Sequence, residues 1–223
     1  MKPPENYYSE VNPELFRLVP PARRSVLEIG CGAGAFGAAL KHQRPGIHVT
    51  GVELHGPAAE AARAVLDRLI HGSIETPEVQ TQLADGSFDT LVAGDVLEHL
   101  LDPWGTLAAL DRCLAPGAQC LICIPNVQHW SMVDRTMTGL WIYQPNGLMD
   151  RTHLRWFSRT TTILMLRELG WQVAEVLGRL IDVPATKAAV ARLLPAAVAA
   201  GADPRNIEGD LSAFQWVFRA VKP

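Results

Sequence analysis

The stretch VLEIGCGAGAFG, Val26 to Gly37, constrains what this chain can fold into more than any other. SVLEIG is apolar and has the character of a strand, and GAFGAALKHQ has the composition of a helix. The junction between them carries Gly30, Gly32 and Gly34, with Gly37 in the helix. Glycine adopts positive φ freely and has no Cβ, so the chain can turn sharply and a ligand can come close to its backbone. A strand that passes through such a turn into a helix is the opening unit of an α/β domain, whose ligand sites lie beyond the carboxyl ends of the strands.

The same alternation continues. SVLEIG, IHVTGVEL, a short piece of RLIHGSI, SFDTLVAGD and QCLICIP read as five strands. GAFGAALKHQ, PAAEAARAVLDRL and PWGTLAALDRCL read as intervening helices, with Pro57 at a first helical position and the breaker APG closing the third. Later, TTTILMLRELG reads as a helix with Gly170 at its C-terminal cap, and WQVAEVLG as a strand. The Ala-rich 184–201 segment reads as helix interrupted by Pro195, and AFQWVFRAVKP as a last strand. The stretch at about 126–158 holds three of the six tryptophans and shows little periodicity. It is expected to be an insertion that forms the acceptor pocket over the ligand-bearing edge of one domain spanning 1–223.

A chain of 223 residues with 48% apolar content can build one sizeable core. A net charge of −3 offers no broad basic surface, so no nucleic-acid partner is expected. MKPPENYYSE lacks the apolar core of a signal peptide, and no apolar run reaches the ~18 residues of a membrane span, so the expectation is cytoplasmic. Of the four cysteines, Cys31, Cys113, Cys120 and Cys123, two form a C-x-x-C inside the strand QCLICIP. Residues three apart in a strand point to opposite faces, so these are small core residues rather than a metal or redox pair.

The glycine turn fits two templates, G-x-G-x-x-A for a dinucleotide and acidic-x-G-x-G-x-G for S-adenosylmethionine (SAM). Glu53, at the end of the second strand, can accept hydrogen bonds from ribose hydroxyls in either case. Glu28 separates them. A carboxylate beside the first glycine would repel a pyrophosphate at the helix N-terminus, whereas SAM has no phosphate and carries an ammonium group that a carboxylate attracts. Glu28 therefore opposes a nicotinamide-dependent oxidoreductase.

VLEIGCGAG, GVEL, FDTLVAGDVLEHLLDP, LAPGAQCLICIPN and HLRWFSRTTTILMLRELGW follow one another in order over roughly residues 7 to 180. This succession resembles the class I SAM-dependent methyltransferases, particularly the small-molecule branch with ubiquinone-biosynthesis and glycan-associated O-methyltransferases. The resemblance implies a Rossmann-like methyltransferase fold: a seven-stranded, mainly parallel sheet in the order 3-2-1-4-5-7-6, its last strand antiparallel, with helices on both faces. It implies SAM as cofactor and methyl transfer to a small-molecule acceptor at oxygen. Glu28, Gly30, Gly32 and Gly34 would shape the methionine and ribose end. Glu53 would take the ribose hydroxyls, Leu54 would lie against the adenine, Ser73 and Ile74 would follow the adenine edge, and Gly94 and Asp95 would close the pocket. Ser73 departs from the aspartate usual there, and a neutral hydroxyl accepts more weakly.

Methyl transfer needs an in-line acceptor that has lost its proton. Asp95, Glu98 and His99 in GDVLEHL would share one face of a helical turn and could relay a proton or hold a divalent cation, as in relatives with an E-x-x-E-H pattern. A bracing role is preferred for Glu98 and His99, and no metal is expected. His153, beside Asp150, Arg151 and Arg155, is the favoured base, with His99 as the second candidate. Tyr7 and Tyr8 are expected either as a lid or as surface residues. Trp130, Trp141, Tyr143 and Trp156 either line the acceptor pocket or form the insertion's own core. The alternative to an enzyme is a SAM-binding protein of this fold with a regulatory or scaffolding role. Quinone-like phenols, sugar hydroxyls and lipid-linked glycans all fit as acceptors.

Overall fold

The computed structural model describes residues 11–223, so the lid expected of Tyr7 and Tyr8 lies outside the described residues. Seven strands form the sheet: β1 (Ser25–Ile29), β2 (His48–Glu53), β3 (Arg68–His71), β4 (Phe88–Gly94), β5 (Leu114–Pro125), β6 (Gln172–Arg179) and β7 (Gln215–Val221). Their order is β3-β2-β1-β4-β5-β7-β6, as expected. The first five are parallel, and β7 runs antiparallel to both β5 and β6. The strand order reverses between β1 and β4, the position at which an open α/β sheet leaves a crevice for a ligand.

The alternating residues of the central strands divide the core into two layers. Leu27, Ile29, Leu91, Ala93, Cys120 and Ile122 face α4 (Pro77–Gln80), α5 (Pro103–Leu110) and α7 (Arg159–Glu168) through Val79, Leu107, Leu110, Met165 and Leu166. Val26, Val92, Leu121 and Cys123 face α1 (Pro13–Leu18), α2 (Ala35–Gln43) and α3 (Gly56–Arg63) through Leu15, Leu18, Phe36, Leu40 and Ala62. Strands covered on both sides are apolar on both sides, which is why they read as nearly continuous hydrophobic runs. Cys120 and Cys123 fall in different layers as free buried thiols, in agreement with their spacing.

The structure corrects three boundaries. The helix read as PAAEAARAVLDRL ends at Arg63, and Arg68 and Leu69 already belong to β3. APG does not close a helix: α5 stops at Leu110, and Ala115, Pro116 and Gly117 form an irregular start of β5, where the pairing with β4 shifts register. Pro195 does not interrupt the Ala-rich segment, because α8 (Val183–Ala199) runs through it. Packing overrides the local cost of the proline: Val190 and Leu193 are buried against Ile207 and Leu211, the latter pair in α9 (Ile207–Ser212).

The 126–158 segment contains one helix, α6 (Trp130–Thr138), which the irregular sequence pattern did not reveal. α8 braces it: Trp130 Nε1 donates to Thr186 Oγ1 at 3.1 Å, and Arg192 pairs with Asp134 at 2.7 Å. No helix of the described residues is long and apolar enough to cross a membrane.

Candidate active site

A cavity of about 1180 Å³ opens over the carboxyl ends of the strands. At one end lies the glycine turn. Gly30 has φ +62°, and a Cβ there would run into Val96 Cγ2, so this position excludes any side chain. Gly34, also expected to contact the cofactor, does not line the cavity. With φ +81° it starts α2, and a Cβ on it would sit 2.8 Å from Val65 Cγ2 and 3.2 Å from Ala62 Cα. Its role is to let α2 and the end of α3 approach.

Two carboxylates floor this end. Glu53 Oε2 accepts the Gly32 N–H at 2.8 Å and Oε1 accepts the His55 N–H at 2.7 Å. Glu28 is buried on β1, lines the cavity, and leaves Oε2 without a hydrogen-bond partner. Burial pushes its carboxyl up to about 8; the Gly37 amide opposes this and the charge of Glu53 adds to it. A buried carboxyl at a cavity wall with one oxygen unpartnered is costly unless a ligand offsets its burial. A cationic ammonium group does so, which is the fit that SAM requires.

Leu54, Ser73 and Ile74 line the adjoining wall, with Leu54 67% exposed. The Ser73 hydroxyl accepts the Glu75 N–H at 3.3 Å, and Glu75 lines the same wall. Gly94 and Asp95 follow at the end of β4, where Asp95 is held at φ +56° and bonds to Gln215 Nε2.

The other end holds a cluster that no single stretch of sequence contains. Glu98 is 1% exposed, and neither carboxyl oxygen has a hydrogen-bond partner. His99 Nε2 lies 3.9 Å from Glu98 Oε1, and His153 Nε2 lies 4.0 Å from the same oxygen. The two imidazoles meet edge to face at 4.8 Å. His153 Nδ1 is 3.3 Å from the Leu148 carbonyl and His99 Nδ1 is 3.2 Å from the Thr152 carbonyl. A carbonyl only accepts, so each Nδ1 carries the proton and each Nε2 presents a lone pair towards Glu98. Burial raises the Glu98 carboxyl well above the usual range, with Asp95 and Asp150 adding to it. Burial also holds both imidazoles low, His153 at about 4. The pocket therefore keeps neutral, acceptor-competent histidines.

One carboxylate and two imidazole nitrogens, all within 4.8 Å of one another, form a donor set that a divalent cation fits. The set differs from the Asp95, Glu98 and His99 face that the sequence offered: His153 joins Glu98 and His99, and Asp95 does not belong to it.

Sequence reasoning missed several lining residues. Val11, Asn12 and Leu15 come from in and before α1, and Arg179, Phe214 and Gln215 from the ends of β6 and β7. None stands in a motif, and the antiparallel return of β7 beside β5 sets Gln215 against Asp95 at the end of β4. Asn146, Gly147, Leu148, Asp150, Thr152 and His153 of the 126–158 segment also line the cavity. Trp130, Trp141, Tyr143 and Trp156 do not. Trp130 packs among α8 and α9, Trp156 joins a small core around Met132, Leu148 and Met149, and Trp141 stacks edge to face on Trp156 at 5.2 Å.

A methyltransferase-domain family model matches residues 5–176. The ubiquinone biosynthesis O-methyltransferase of Aromatoleum aromaticum is 28% identical over 163 residues, covering 70% of this chain and 68% of that protein. Its counterpart from Thiobacillus denitrificans is 27% identical over 187 residues, covering 80% and 78%. Among solved structures, a SAM-dependent methyltransferase from Archaeoglobus fulgidus superposes with a TM-score of 0.65 at 20% identity, over 94% of this chain and 92% of that one. The Haemonchus contortus phosphoethanolamine N-methyltransferase 2 complex with SAM gives 0.61 at 18% identity, over 94% and 51%. The match across most of the chain, on this sheet order and this glycine turn, shows that the chain belongs to the methyltransferase-domain family and is a class I SAM-dependent methyltransferase.

Proposed function

We propose that this enzyme transfers a methyl group to a hydroxyl oxygen of a small cytoplasmic acceptor, and that His99 takes the hydroxyl proton. One observation carries the reading: a single cavity runs from Glu28 and the glycine turn to the neutral pair His99 and His153. The names of the O-methyltransferase relatives support oxygen as the target.

SAM supplies an electrophilic methyl on a sulfonium. The chain's own residues do the rest. Glu28 attracts the ammonium, Glu53 keeps lone pairs for the ribose hydroxyls beyond those given to Gly32 and His55, Leu54 covers the adenine, and Ser73 and Ile74 follow its edge. Gly94 and Asp95 bound the reacting end. The 126–158 segment forms the acceptor wall and excludes water, which favours the in-line approach. His99 replaces His153 as the favoured base because its side chain is 23% exposed against 5%. His153 then backs His99 and shields Glu98.

A second reading rests on the Glu98, His99 and His153 donor set: a divalent cation held there would lower the pKa of the acceptor hydroxyl. Incubation with methyl-labelled SAM and a cell extract, followed by mass spectrometry of the labelled product, tests the main proposal. An oxygen-linked methyl supports it. A methylated nitrogen or carbon overturns it.

A further inference from the structure

Asp150 is buried, and its Oδ1 accepts two hydrogen bonds from Thr152: the backbone N–H at 2.8 Å and the hydroxyl at 2.7 Å. Thr152 Oγ1 is the donor in that second bond, so its hydroxyl proton is committed to Asp150. Thr152 Oγ1 also lies 3.1 Å from His99 Nδ1. With its own proton spent, that oxygen can meet the imidazole only as an acceptor. The Thr152 carbonyl, 3.2 Å from the same nitrogen, is an acceptor as well. Two oxygens of one residue thus receive one N–H, and the ring is left with its lone pair on Nε2. His99 lies just beyond β4, whereas Asp150 and Thr152 belong to the segment between β5 and α7, which reaches back to orient it.

We propose that Thr152 is a positioning residue that fixes the tautomer and orientation of His99, and that Asp150 sets the direction of the Thr152 hydroxyl. The carbonyl alone would accept the proton but would leave the ring free to turn about one contact. The hydroxyl supplies the second contact, and Asp150 prevents that hydroxyl from donating to Nδ1 and forcing the opposite tautomer. The inference gives the 126–158 segment a part in preparing the base, and it rests on the proposed role of His99 only for its catalytic consequence.

The test is two-bond 1H–15N correlation spectroscopy of the full chain labelled with 15N-histidine, at pH 8, where the imidazoles are neutral. The His99→Gln variant assigns the His99 signals. In the wild type, His99 should show a protonated Nδ1 and an unprotonated Nε2. Thr152→Val should move both resonances towards the averaged positions of a mixed tautomer, and Thr152→Ser should restore them. Calorimetric SAM affinity should stay within about 2-fold of the wild type in both variants, which separates lost positioning from a misfolded site. A wild-type His99 protonated on Nε2, or a Thr152→Val spectrum identical to the wild type, overturns the proposal. A restored tautomer in Thr152→Ser, together with full methyl transfer by His99→Gln, would instead sink the role of His99 as base and leave the positioning intact.

Discussion

Glu53 reaches from the end of β2 to accept the Gly32 N–H at 2.8 Å, fastening the second strand to the glycine turn of the first. Its other oxygen holds the His55 N–H at the start of α3. The carboxylate therefore shapes the turn, and in the proposed function it also offers lone pairs to a ribose. Glu53→Ala should remove charge-assisted hydrogen bonds worth about 1.5–3 kcal/mol and lower SAM affinity by roughly 10- to 150-fold. Its melting temperature should fall too, unlike that of a residue that only contacts the ligand. Calorimetry and thermal unfolding together check both. An unchanged affinity in a folded variant would remove Glu53 from the cofactor site.

Glu28 predicts a pH dependence. Burial raises its carboxyl to about 8, so below that pH the free enzyme holds it largely neutral. An ammonium group placed against it favours the ionised form, so SAM binding should expel a proton. Affinity should rise with pH up to about 8, by at most roughly 10-fold per unit, and level off above. Glu28→Gln should lose that component of the slope. Calorimetry in buffers of different ionisation enthalpy reads the proton directly; equal proton release by both proteins would contradict the pairing.

The Glu98 cluster gives a choice between a histidine base and a cation. With His99 as base, His99→Gln should slow methyl transfer by about 100- to 10,000-fold while SAM still binds, and a chelator should have no effect. His153→Ala should cost less, because its ring supports rather than receives. Activity abolished by a chelator and restored by Mn²⁺ or Zn²⁺ would move the role to a bound ion.

His129 sits outside the cavity, 2% exposed, with Nε2 lacking a partner and its ring against Trp130 and Phe214. Burial holds its imidazole down to about 4. The unfolded chain takes up that proton near pH 6.5 and the folded chain resists until about 4, so stability is full above 6.5 and falls across that window. Between pH 7.5 and 4.5 the loss from this group should be on the order of 2–3 kcal/mol. Urea unfolding at pH 7.5 and 4.5 should show a smaller drop for His129→Phe than for the wild type. His153 keeps its own share of the drop in both proteins.

What the sequence determined by itself was local. Nearly continuous apolar runs flanked by glycine and proline marked the central strands, including the C-x-x-C of β5 whose thiols part to opposite faces, and the acidic glycine turn marked the strand-to-helix junction at the cavity, because each is a local property of residues close in the chain. Tertiary structure decided where packing outweighed those local preferences. Pro195 stays inside α8 because Val190 and Leu193 are buried against α9, and Gly34 serves the approach of two helices rather than the cavity. It also decided which ionisable groups meet. His99 and His153 read as rivals in sequence, yet the segment after β5 folds back until their rings meet over one buried carboxyl. No periodicity encodes that meeting, since it depends on burial and hydrogen bonds between residues that only the closed sheet brings together.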